Sequence, residues 1–199
     1  MKYAILIGEP NSGKSTFANQ FVKMAKDRGL FISILKTGNS IREYVKKNPN
    51  SDIKEKMNRG ELVGNEIPKA YMIEEIRKYN LLEKKPDLIL MDGTPRNLSQ
   101  KDEFKPDVFD RYGLELHSII FISLSVEEIF ERASNRGRDD DKVEIVRCRI
   151  DNFKKDTLPM LNYYKITNES KFRELDGKLP VEDKVRLKFI DEIINSILR

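Results

Sequence analysis

The sequence predicts an α/β fold of three layers, in which a parallel sheet of five strands carries helices on both faces. Two observations support this prediction. Short apolar runs alternate with segments whose apolar residues repeat at helical spacing, and such unbroken runs are typical of parallel strands that are buried on both faces. A glycine-rich segment also follows the first apolar run directly. In a sheet of this kind, ligands bind at the carboxyl ends of the strands.

Each element is predicted from its own stretch of sequence. The apolar runs predict strands at 3–7, 30–35, 88–91, 119–124 and 172–175. Helical periodicity predicts helices at 17–29, 40–47, 53–59, 66–79, 126–133, 143–153 and 185–197. Gly29 is expected to end the first helix, and Ser125 is expected to cap the helix after the fourth strand. The helical stretch between the second and third strands is unusually long.

Composition favours a single globular domain over 1–199. The chain has 199 residues, of which 39% are apolar and 35% are charged, which is enough for one buried core. No apolar run approaches the ~18–20 residues that span a bilayer. The apolar residues after Met1 and Lys2 are too few for a secretory signal. We therefore expect a cytoplasmic protein that binds no membrane, with a monomer as the default state.

Charge and rare residues argue against further classes. The 37 basic and 33 acidic side chains give a net charge of +4 but are interspersed, which argues against nucleic-acid binding. Cys148 is the only cysteine and His117 is the only histidine. The chain can therefore form neither an internal disulfide nor a cysteine zinc cluster, and chemistry that needs a histidine base is not expected.

The glycine-rich segment predicts a nucleotide-phosphate site. It reads Gly8-Glu9-Pro10-Asn11-Ser12-Gly13-Lys14-Ser15-Thr16 and meets the P-loop pattern G-x-x-x-x-G-K-[ST]. Glycines let backbone N–H groups turn towards phosphate oxygens, and the following helix adds its positive end. Lys14 is expected to reach the β and γ phosphates, while Ser15 or Thr16 offers a hydroxyl to Mg²⁺.

Two further groups point to phosphoryl transfer. Asp92 follows the third apolar run, at the edge where a carboxylate would orient the water shell of Mg²⁺. Arginines then cluster at Arg132, Arg136, Arg138, Arg147 and Arg149. Such clusters are often only a solvated face, yet guanidinium groups also neutralise a transferred phosphoryl group. If the acceptor is itself a phosphate, it is largely deprotonated near neutral pH, so no strong base is required.

The order of these motifs resembles the adenylate kinase family of nucleoside monophosphate kinases over nearly the whole chain. The residues that carry the resemblance are the glycine-rich loop, Thr37, Gly38 and Arg42, the segment 60–63, the segment 92–96 with Gln100, the arginine cluster, and the segment 176–180. Thr94 stands where the family usually has phenylalanine, and Asn39 where aspartate is common. Both departures concern the acceptor side.

The resemblance implies a role for each site residue. ATP would be bound by Pro10, Asn11, Ser12, Gly13, Lys14, Ser15, Thr16, Arg132, Arg136 and Leu179. The acceptor would be bound by Thr37, Gly38, Arg42, Leu62, Val63, Gly93, Arg96, Gln100, Arg138 and Arg149. Transfer would depend on Lys14, Arg96, Arg136, Arg138 and Arg149. Asp140 and Asp141 would make the contacts of the lid. Mg²⁺ would be held by Ser15, Thr16 and Asp92, directly or through water.

The resemblance also implies a division of the single domain. The core would comprise 1–37, 81–134 and 143–199, with an inserted helical subdomain for the nucleoside monophosphate at 38–80 and a short lid at 135–142. A short lid without cysteines implies no structural zinc. The insertion and the lid are the parts expected to move, because the site must exclude water before transfer.

The expected activity is reversible, Mg²⁺-dependent transfer of the γ-phosphoryl group of ATP to AMP, giving two ADP. AMP is favoured because Gln100 can offer both a donor and an acceptor to an adenine edge. A UMP/CMP-type acceptor stays open, since short-lid relatives include such enzymes and Asn97 could also reach a base. The other alternative is a non-catalytic nucleotide-binding module, although Lys14 and the arginines that such a module could lack are present. Small nucleotides are the expected partners.

Overall fold

The computed structural model describes residues 1–49, 51–59, 61–136 and 142–199, without the side chains of Asn58 and Arg136. Within this part of the chain, five parallel strands form one sheet in the order β2-β3-β1-β4-β5. The strands are β1 (Lys2–Gly8), β2 (Ile32–Lys36), β3 (Leu88–Asp92), β4 (Glu115–Ser123) and β5 (Phe172–Asp176). The predicted α/β fold with a parallel sheet is confirmed.

Helices connect the strands and cover both faces of the sheet. They are α1 (Lys14–Asp27), α2 (Thr37–Lys47), α3 (Asp52–Asn58), α4 (Glu66–Asn80), α5 (Leu98–Phe104), α6 (Val126–Arg136), α7 (Val143–Asn152), α8 (Leu158–Thr167) and α9 (Lys184–Ile197). Two π-helical turns, Lys105–Asp110 and Phe153–Thr157, and a 3₁₀ turn, Glu169–Lys171, continue or join them. None of the described helices is long and apolar enough to cross a membrane.

Alternation along β1 divides its side chains between two cores, one on each face of the sheet. Tyr3, Ile5 and Ile7 face a core that α4, α5 and α8 complete, with Met72 and Phe104 fully buried in it. The residues between them, such as Leu6, face a second core that α1 and α9 complete. Successive side chains of a strand point to opposite faces, so one strand serves both cores. Burial on both faces explains the unbroken apolar run.

The second strand begins later than the sequence predicts. Leu30 belongs to the turn that ends α1, because its N–H donates to the carbonyl oxygen of Ala25 at 3.0 Å. Gly29 makes this turn possible with φ +77°, a left-handed conformation that glycine tolerates. The predicted role of Gly29 is confirmed, and β2 starts at Ile32.

Ser125 caps α6 as the sequence predicts. Its Oγ accepts from the backbone N–H of Glu128 at 3.4 Å and donates to the Glu128 carboxylate at 3.0 Å. The same carboxylate accepts from the Ser125 N–H at 3.3 Å. This reciprocal arrangement is a capping box, and it fixes where α6 starts next to the carboxyl end of β4.

Candidate active site

The loop between β1 and α1 folds as a phosphate cradle because its backbone adopts left-handed conformations. Asn11 has φ +59° and Gly13 has φ +86°, which asparagine and glycine tolerate best. Gly8 is required for space, since a Cβ there would lie 2.5 Å from Ser12 Oγ and 2.8 Å from the Ile122 carbonyl oxygen. Gly13 is also the N-cap of α1. It has no side chain to cover the first N–H groups, so the helix end is open to an anion.

Lys14 keeps its ammonium group at this loop. Nζ donates to the carbonyl oxygens of Gly8 at 2.8 Å and Glu9 at 2.9 Å, and to Ser12 Oγ at 3.4 Å. These contacts come from the loop itself, so the charge lies where the loop would bind phosphate.

The Glu9 side chain joins the phosphate loop to the residue that follows β4 by a hydrogen bond. Its Oε2 accepts from the backbone N–H of Leu124 at 2.7 Å. Burial raises the pKa of Glu9, while that hydrogen bond and the nearby Lys14 lower it and Glu174 raises it further. No individual role for Glu9 could be predicted from its place in the glycine-rich segment, because the contact depends on how β1 and β4 are brought together.

Asp92 lies where its place at the end of β3 predicts. It pairs in register with Leu6 of β1 and Lys36 of β2. Gly93 then turns the chain away from the sheet with φ +75°, and its N–H donates to the Leu6 carbonyl oxygen at 3.0 Å. The Asp92 carboxylate is thereby presented at the carboxyl edge, beside the phosphate loop.

Arg42, Arg96 and Arg149 converge on one place. A Cβ on Gly38 would lie 3.8 Å from guanidinium nitrogens of both Arg42 and Arg96, and Arg149 of α7 lines the same cavity. Arg96 is exposed to the open cavity, yet loss of surrounding water lowers the pKa of its guanidinium. Asp92 opposes this shift, and the charges of Arg149 and Arg42 lower the pKa further. Arginine remains ionised at neutral pH because its ordinary pKa is far higher. Three cations beside one carboxylate create a positive field that suits phosphate.

Arg42 and Arg96 each also bond to a residue three positions earlier. Nη2 of Arg42 donates to the side-chain oxygen of Asn39. Nε of Arg96 donates to the carbonyl oxygen of Gly93 at 2.8 Å. Asn39, noted as a departure from the family pattern, therefore orients an arginine of the site.

One cavity of about 400 Å³ joins these groups. Its lining includes the predicted residues Pro10, Asn11, Lys14, Ser15, Gly38, Arg42, Leu62, Val63, Asp92, Gly93, Arg96 and Arg149. It also includes Gly8 of the glycine-rich segment and Glu61 of the segment 60–63, as well as residues for which no site role was predicted: Lys36, Ile41, Met57, Asn152, Phe153 and Thr157. Asn152 follows Arg149 by three residues on α7, a spacing that places both on one helix face and that could have indicated it.

Gln100 lines a second, small cavity of about 20 Å³ beside the first. This cavity is lined by Thr37, Ile41, Leu62, Val63, Pro68, Gly93, Thr94, Arg96 and Gln100. Oε1 of Gln100 accepts from the backbone N–H of Arg96 at 2.8 Å, which fixes the amide orientation. The NH₂ group and one oxygen lone pair are what this amide still offers a ligand. Thr94 is buried, and its Oγ1 contacts Met72 Sδ at 3.8 Å.

Arg132 connects the phosphate loop to the segment after β5. Its Nη1 donates to the Asn11 carbonyl oxygen at 3.4 Å, and its Nη2 to the Gly177 carbonyl oxygen at 2.7 Å. Leu179 lies in this segment, outside the large cavity. Gly177 cannot carry a side chain, since a Cβ would lie 2.8 Å from the Ser123 carbonyl oxygen.

Four predicted site residues fall in or beside the lid. Arg138, Asp140 and Asp141 lie outside the described residues, and so does the side chain of Arg136. Their roles stay predictions, as does the lid at 135–142. His117 lies in β4 and does not line the cavity.

The oxygen groups at the cavity fit Mg²⁺. In the described part of the chain, no three His, Cys, Asp or Glu side chains come together as a metal site. Mg²⁺ in phosphate-transfer sites is usually held by one or two protein oxygens together with substrate phosphates and water. The Ser15 hydroxyl and the Asp92 carboxylate line one cavity and supply that donor set.

Known proteins resemble this chain along most of its length. Residues 6–169 match the family described as adenylate kinase. An adenylate kinase of Prochlorococcus marinus (strain AS9601) is 34% identical over 166 residues, which are 82% of this chain and 85% of that protein. UMP-CMP kinase 1 of Oryza sativa subsp. japonica is 33% identical over 182 residues, 89% of this chain and 68% of that protein.

A more distant relative covers still more of the chain. An adenylate kinase of Fervidobacterium nodosum (strain ATCC 35602 / DSM 5306 / Rt17-B1) is 28% identical over an alignment of 218 positions, which covers 93% of this chain and 94% of that protein. The family match spans more than half of the 199 residues. The chain therefore belongs to the adenylate kinase family, whose members are phosphotransferases.

Proposed function

We propose that this protein is a nucleoside monophosphate kinase that transfers the γ-phosphoryl group of MgATP reversibly to AMP, giving two ADP. The observation that carries the proposal is the single cavity in which Lys14 of the phosphate loop meets Arg42, Arg96 and Arg149. Its volume of about 400 Å³ lies in the range of small-molecule sites. Membership of a phosphotransferase family supports the same conclusion.

The donor would occupy the phosphate loop. Lys14 and the N-terminus of α1 would hold the β and γ phosphates, and Arg132 and Leu179 would lie towards the donor base. Mg²⁺ held by Ser15 and Asp92 would supply charge neutralisation at the phosphate oxygens. The other predicted donor residues, Pro10, Asn11, Ser12, Gly13 and Thr16, belong to the same loop or the first turn of α1.

The acceptor would lie on the other side of Asp92. Arg42 and Arg96 would hold its phosphate, and Arg149 would lie between the two phosphate groups. Guanidinium groups suit this task because they remain charged and bind phosphate oxygens in pairs. The acceptor phosphate oxygen is largely deprotonated near neutral pH, so the chain needs no general base. Thr37, Gly38, Leu62, Val63, Gly93 and Gln100 would surround the nucleoside.

Residues 38–80 would form the acceptor subdomain and close over the substrate. Water that reached the γ-phosphoryl group would hydrolyse ATP, so closure protects the transfer. The subdomain stays tied to the core through α4, where Lys69 Nζ binds the carboxylates of Glu103 and Asp107. The lid at 135–142, a cytoplasmic location and a monomeric state stay predictions.

A UMP/CMP-type acceptor is the second candidate. The Gln100 oxygen already accepts from the Arg96 N–H, so this amide offers mainly donors, and a cytosine edge with a ring-nitrogen acceptor also fits such a group. The resemblance to a UMP-CMP kinase of Oryza sativa favours the same alternative. AMP remains the proposed acceptor because one lone pair of that oxygen is still available for an amino group.

A coupled assay of diphosphate formation tests both candidates. Purified protein is given MgATP with AMP, UMP, CMP, GMP or dTMP, and Lys14→Met serves as the inactive control. We expect the highest kcat/KM with AMP. A higher value with CMP or UMP would reassign the acceptor, and turnover with none of the five would favour a non-catalytic nucleotide-binding module.

A further inference from the structure

The segment Gly177–Val181, which follows β5, is held at alternate carbonyl groups. The Gly177 oxygen accepts from Arg132 of α6 at 2.7 Å. The Leu179 oxygen accepts from Nη1 of Arg186 of α9 at 3.3 Å. The Val181 oxygen accepts from Nε2 of Gln20 of α1 at 2.6 Å. Two helices that are distant in sequence, α1 and α6, and the helix that follows the segment, α9, thus hold five consecutive residues in one position.

Arg186 and Gln20 are also bonded to each other. Nε of Arg186 donates to Oε1 of Gln20 at 2.8 Å, so each side chain holds both its partner and one carbonyl group of the segment. The Arg186 guanidinium lies 5.9 Å from the ring centroid of Phe17. Because Phe17 and Gln20 both belong to α1, the pair ties the segment to the helix that begins at the phosphate loop.

Arg186 is an unusual residue for a helix core. It is 3% exposed, and it shares the buried face of α9 with Ile190 and Ile193. No described carboxylate forms an ion pair with it, and among the described residues its Nη2 has no hydrogen-bond partner. Burial lowers the pKa of Arg186, and the charge of Arg132 lowers it further. A buried cation without an acid costs stability that an apolar residue would not.

We propose that Arg186 and Gln20 are positioning residues for the donor nucleotide: they hold Leu179 and Val181 against α1, so that the segment forms a ready wall for the donor base. This inference rests on the proposed function for the placement of the donor beside Leu179. A charged donor makes a stronger hydrogen bond to a carbonyl group than a neutral donor does. This explains why a guanidinium is buried beside the Leu179 carbonyl oxygen. If the segment is already ordered before the donor binds, the free energy of donor binding is not reduced by the entropy lost in ordering it.

The chain offers a matched control for this proposal. Arg28 also ties α1 to α9, through Asp191 at 2.5 Å and Asn195 at 3.3 Å, but it lies at the other end of α1 from the phosphate loop. Arg186→Met and Arg28→Met make the same chemical change and loosen the same two helices. A purely structural role for Arg186 predicts that both variants change at most the melting temperature, with no selective effect on the donor.

The experiment measures the Kd for MgATP by isothermal titration and, in the coupled assay, KM for MgATP, KM for the acceptor and kcat. We expect Arg186→Met to raise the Kd and KM for MgATP about tenfold, the effect of roughly 1.4 kcal/mol. The acceptor KM should change less than threefold, and kcat should fall less than KM rises. Arg28→Met should leave the donor constants unchanged. Arg186→Lys should recover only part of the effect, because an ammonium lacks the fork that reaches two oxygens.

A second variant keeps the proposal testable if Arg186→Met does not fold. Gln20→Met removes the contact to Val181 and to Arg186 from a half-buried position, and it should raise the Kd for MgATP about threefold to tenfold. Folded variants at both positions with unchanged Kd would overturn the proposal, as would an equal shift in Arg28→Met. If the wild type transfers to no acceptor while Arg186→Met still weakens MgATP binding, the proposed function fails and the positioning role stands. A wild type that binds no MgATP would overturn both.

Discussion

The two sides of the cavity are held together in different ways. On the donor side, hydrogen bonds join residues that are distant in sequence, such as Arg132 with Gly177 and Arg186 with Gln20. On the acceptor side, Arg42 and Arg96 bond to residues three positions earlier, Asn39 and Gly93. Long-range bonds fix separate elements relative to one another, whereas local bonds only orient a side chain on its own segment.

Under the proposed function, this contrast would separate a donor site that is already formed from an acceptor site that is completed as substrate binds. The proposed donor wall would need little rearrangement before ATP binds, so little of the binding energy of ATP would go into ordering the protein. The bonds of Arg42 to Asn39 and of Arg96 to Gly93 orient each side chain on its own segment, which would suit the proposed acceptor subdomain if it moves as substrate arrives.

The largest expected effect tests the donor side. Lys14→Met removes the charge that the phosphate loop holds, and we expect kcat to fall at least about 10³-fold, which corresponds to roughly 4 kcal/mol of transition-state stabilisation. The coupled assay measures this loss. Lys23→Met, on an exposed position of the same helix, is the matched control and should retain full activity. A small effect of Lys14→Met would mean that the loop does not carry the transferred phosphate.

The next effect tests how the acceptor helices are anchored. Met72 of α4 is fully buried in the core under the sheet, so Met72→Ala should lower the free energy of unfolding by about 2–4 kcal/mol. Urea titration measures it. Ile166→Ala, at a position that is 80% exposed, should change stability by less than about 0.5 kcal/mol. A change in the free energy of unfolding of less than about 0.5 kcal/mol for Met72→Ala would show that α4 packs loosely against the core. The two sides of the cavity would then differ in packing as well as in hydrogen bonding.

A smaller effect concerns the acceptor arginine. Arg96→Lys keeps the charge but loses the planar fork, and we expect kcat/KM for the acceptor to fall about tenfold to a hundredfold. KM for MgATP should change less than threefold, because we propose that Arg96 binds the acceptor and not the donor. Steady-state kinetics with each substrate varied in turn measures both. If KM for MgATP and KM for the acceptor rose by the same factor, Arg96 would serve both substrates and the contrast between the two sides would be wrong.

The smallest effect tests Glu9, whose raised pKa makes its charge unfavourable in the fold. Its contribution is fully favourable below the ordinary pKa of about 4.5 and is lost as pH rises through the higher folded value. Glu9→Gln keeps an oxygen for the Leu124 N–H. At pH 7 it should therefore be as stable as the wild type or up to about 1 kcal/mol more stable, with no difference at pH 4. Thermal unfolding at both pH values measures this, and a clear loss of stability at pH 7 would show that the charge itself is needed.

Much of the fold could be predicted because the buried strands leave an unbroken apolar run. The helix α5 and its π-helical turn were not predicted, since a π turn displaces the helical spacing on which such predictions depend. Phe104, Val108 and Phe109 are all buried there, at intervals of four and one. The sequence pattern did not predict α8 either, because this helix directly follows the second π-helical turn, Phe153–Thr157.

The candidate site was predictable where a motif fixes the backbone and less so where contacts cross the fold. Asp92 and Lys14 are positioned by the strands before them, so their places could be predicted from sequence. The bond between Gln100 and the Arg96 N–H depends on a turn that no pattern indicates. Arg186 did leave a signal, because a lone arginine shares an apolar helix face with Ile190 and Ile193.

The position of β1 at the centre of the sheet, with β3 and β2 on one side and β4 and β5 on the other, has an evolutionary consequence. The segments proposed for the acceptor nucleoside follow β2 and β3 on one flank, and those proposed for the donor base follow β4 and β5 on the other. Changes in separated parts of a protein usually add without interfering. A lineage could therefore drift between acceptor bases through one flank while its ATP preference stays untouched, and an engineer could recombine the two flanks from different relatives.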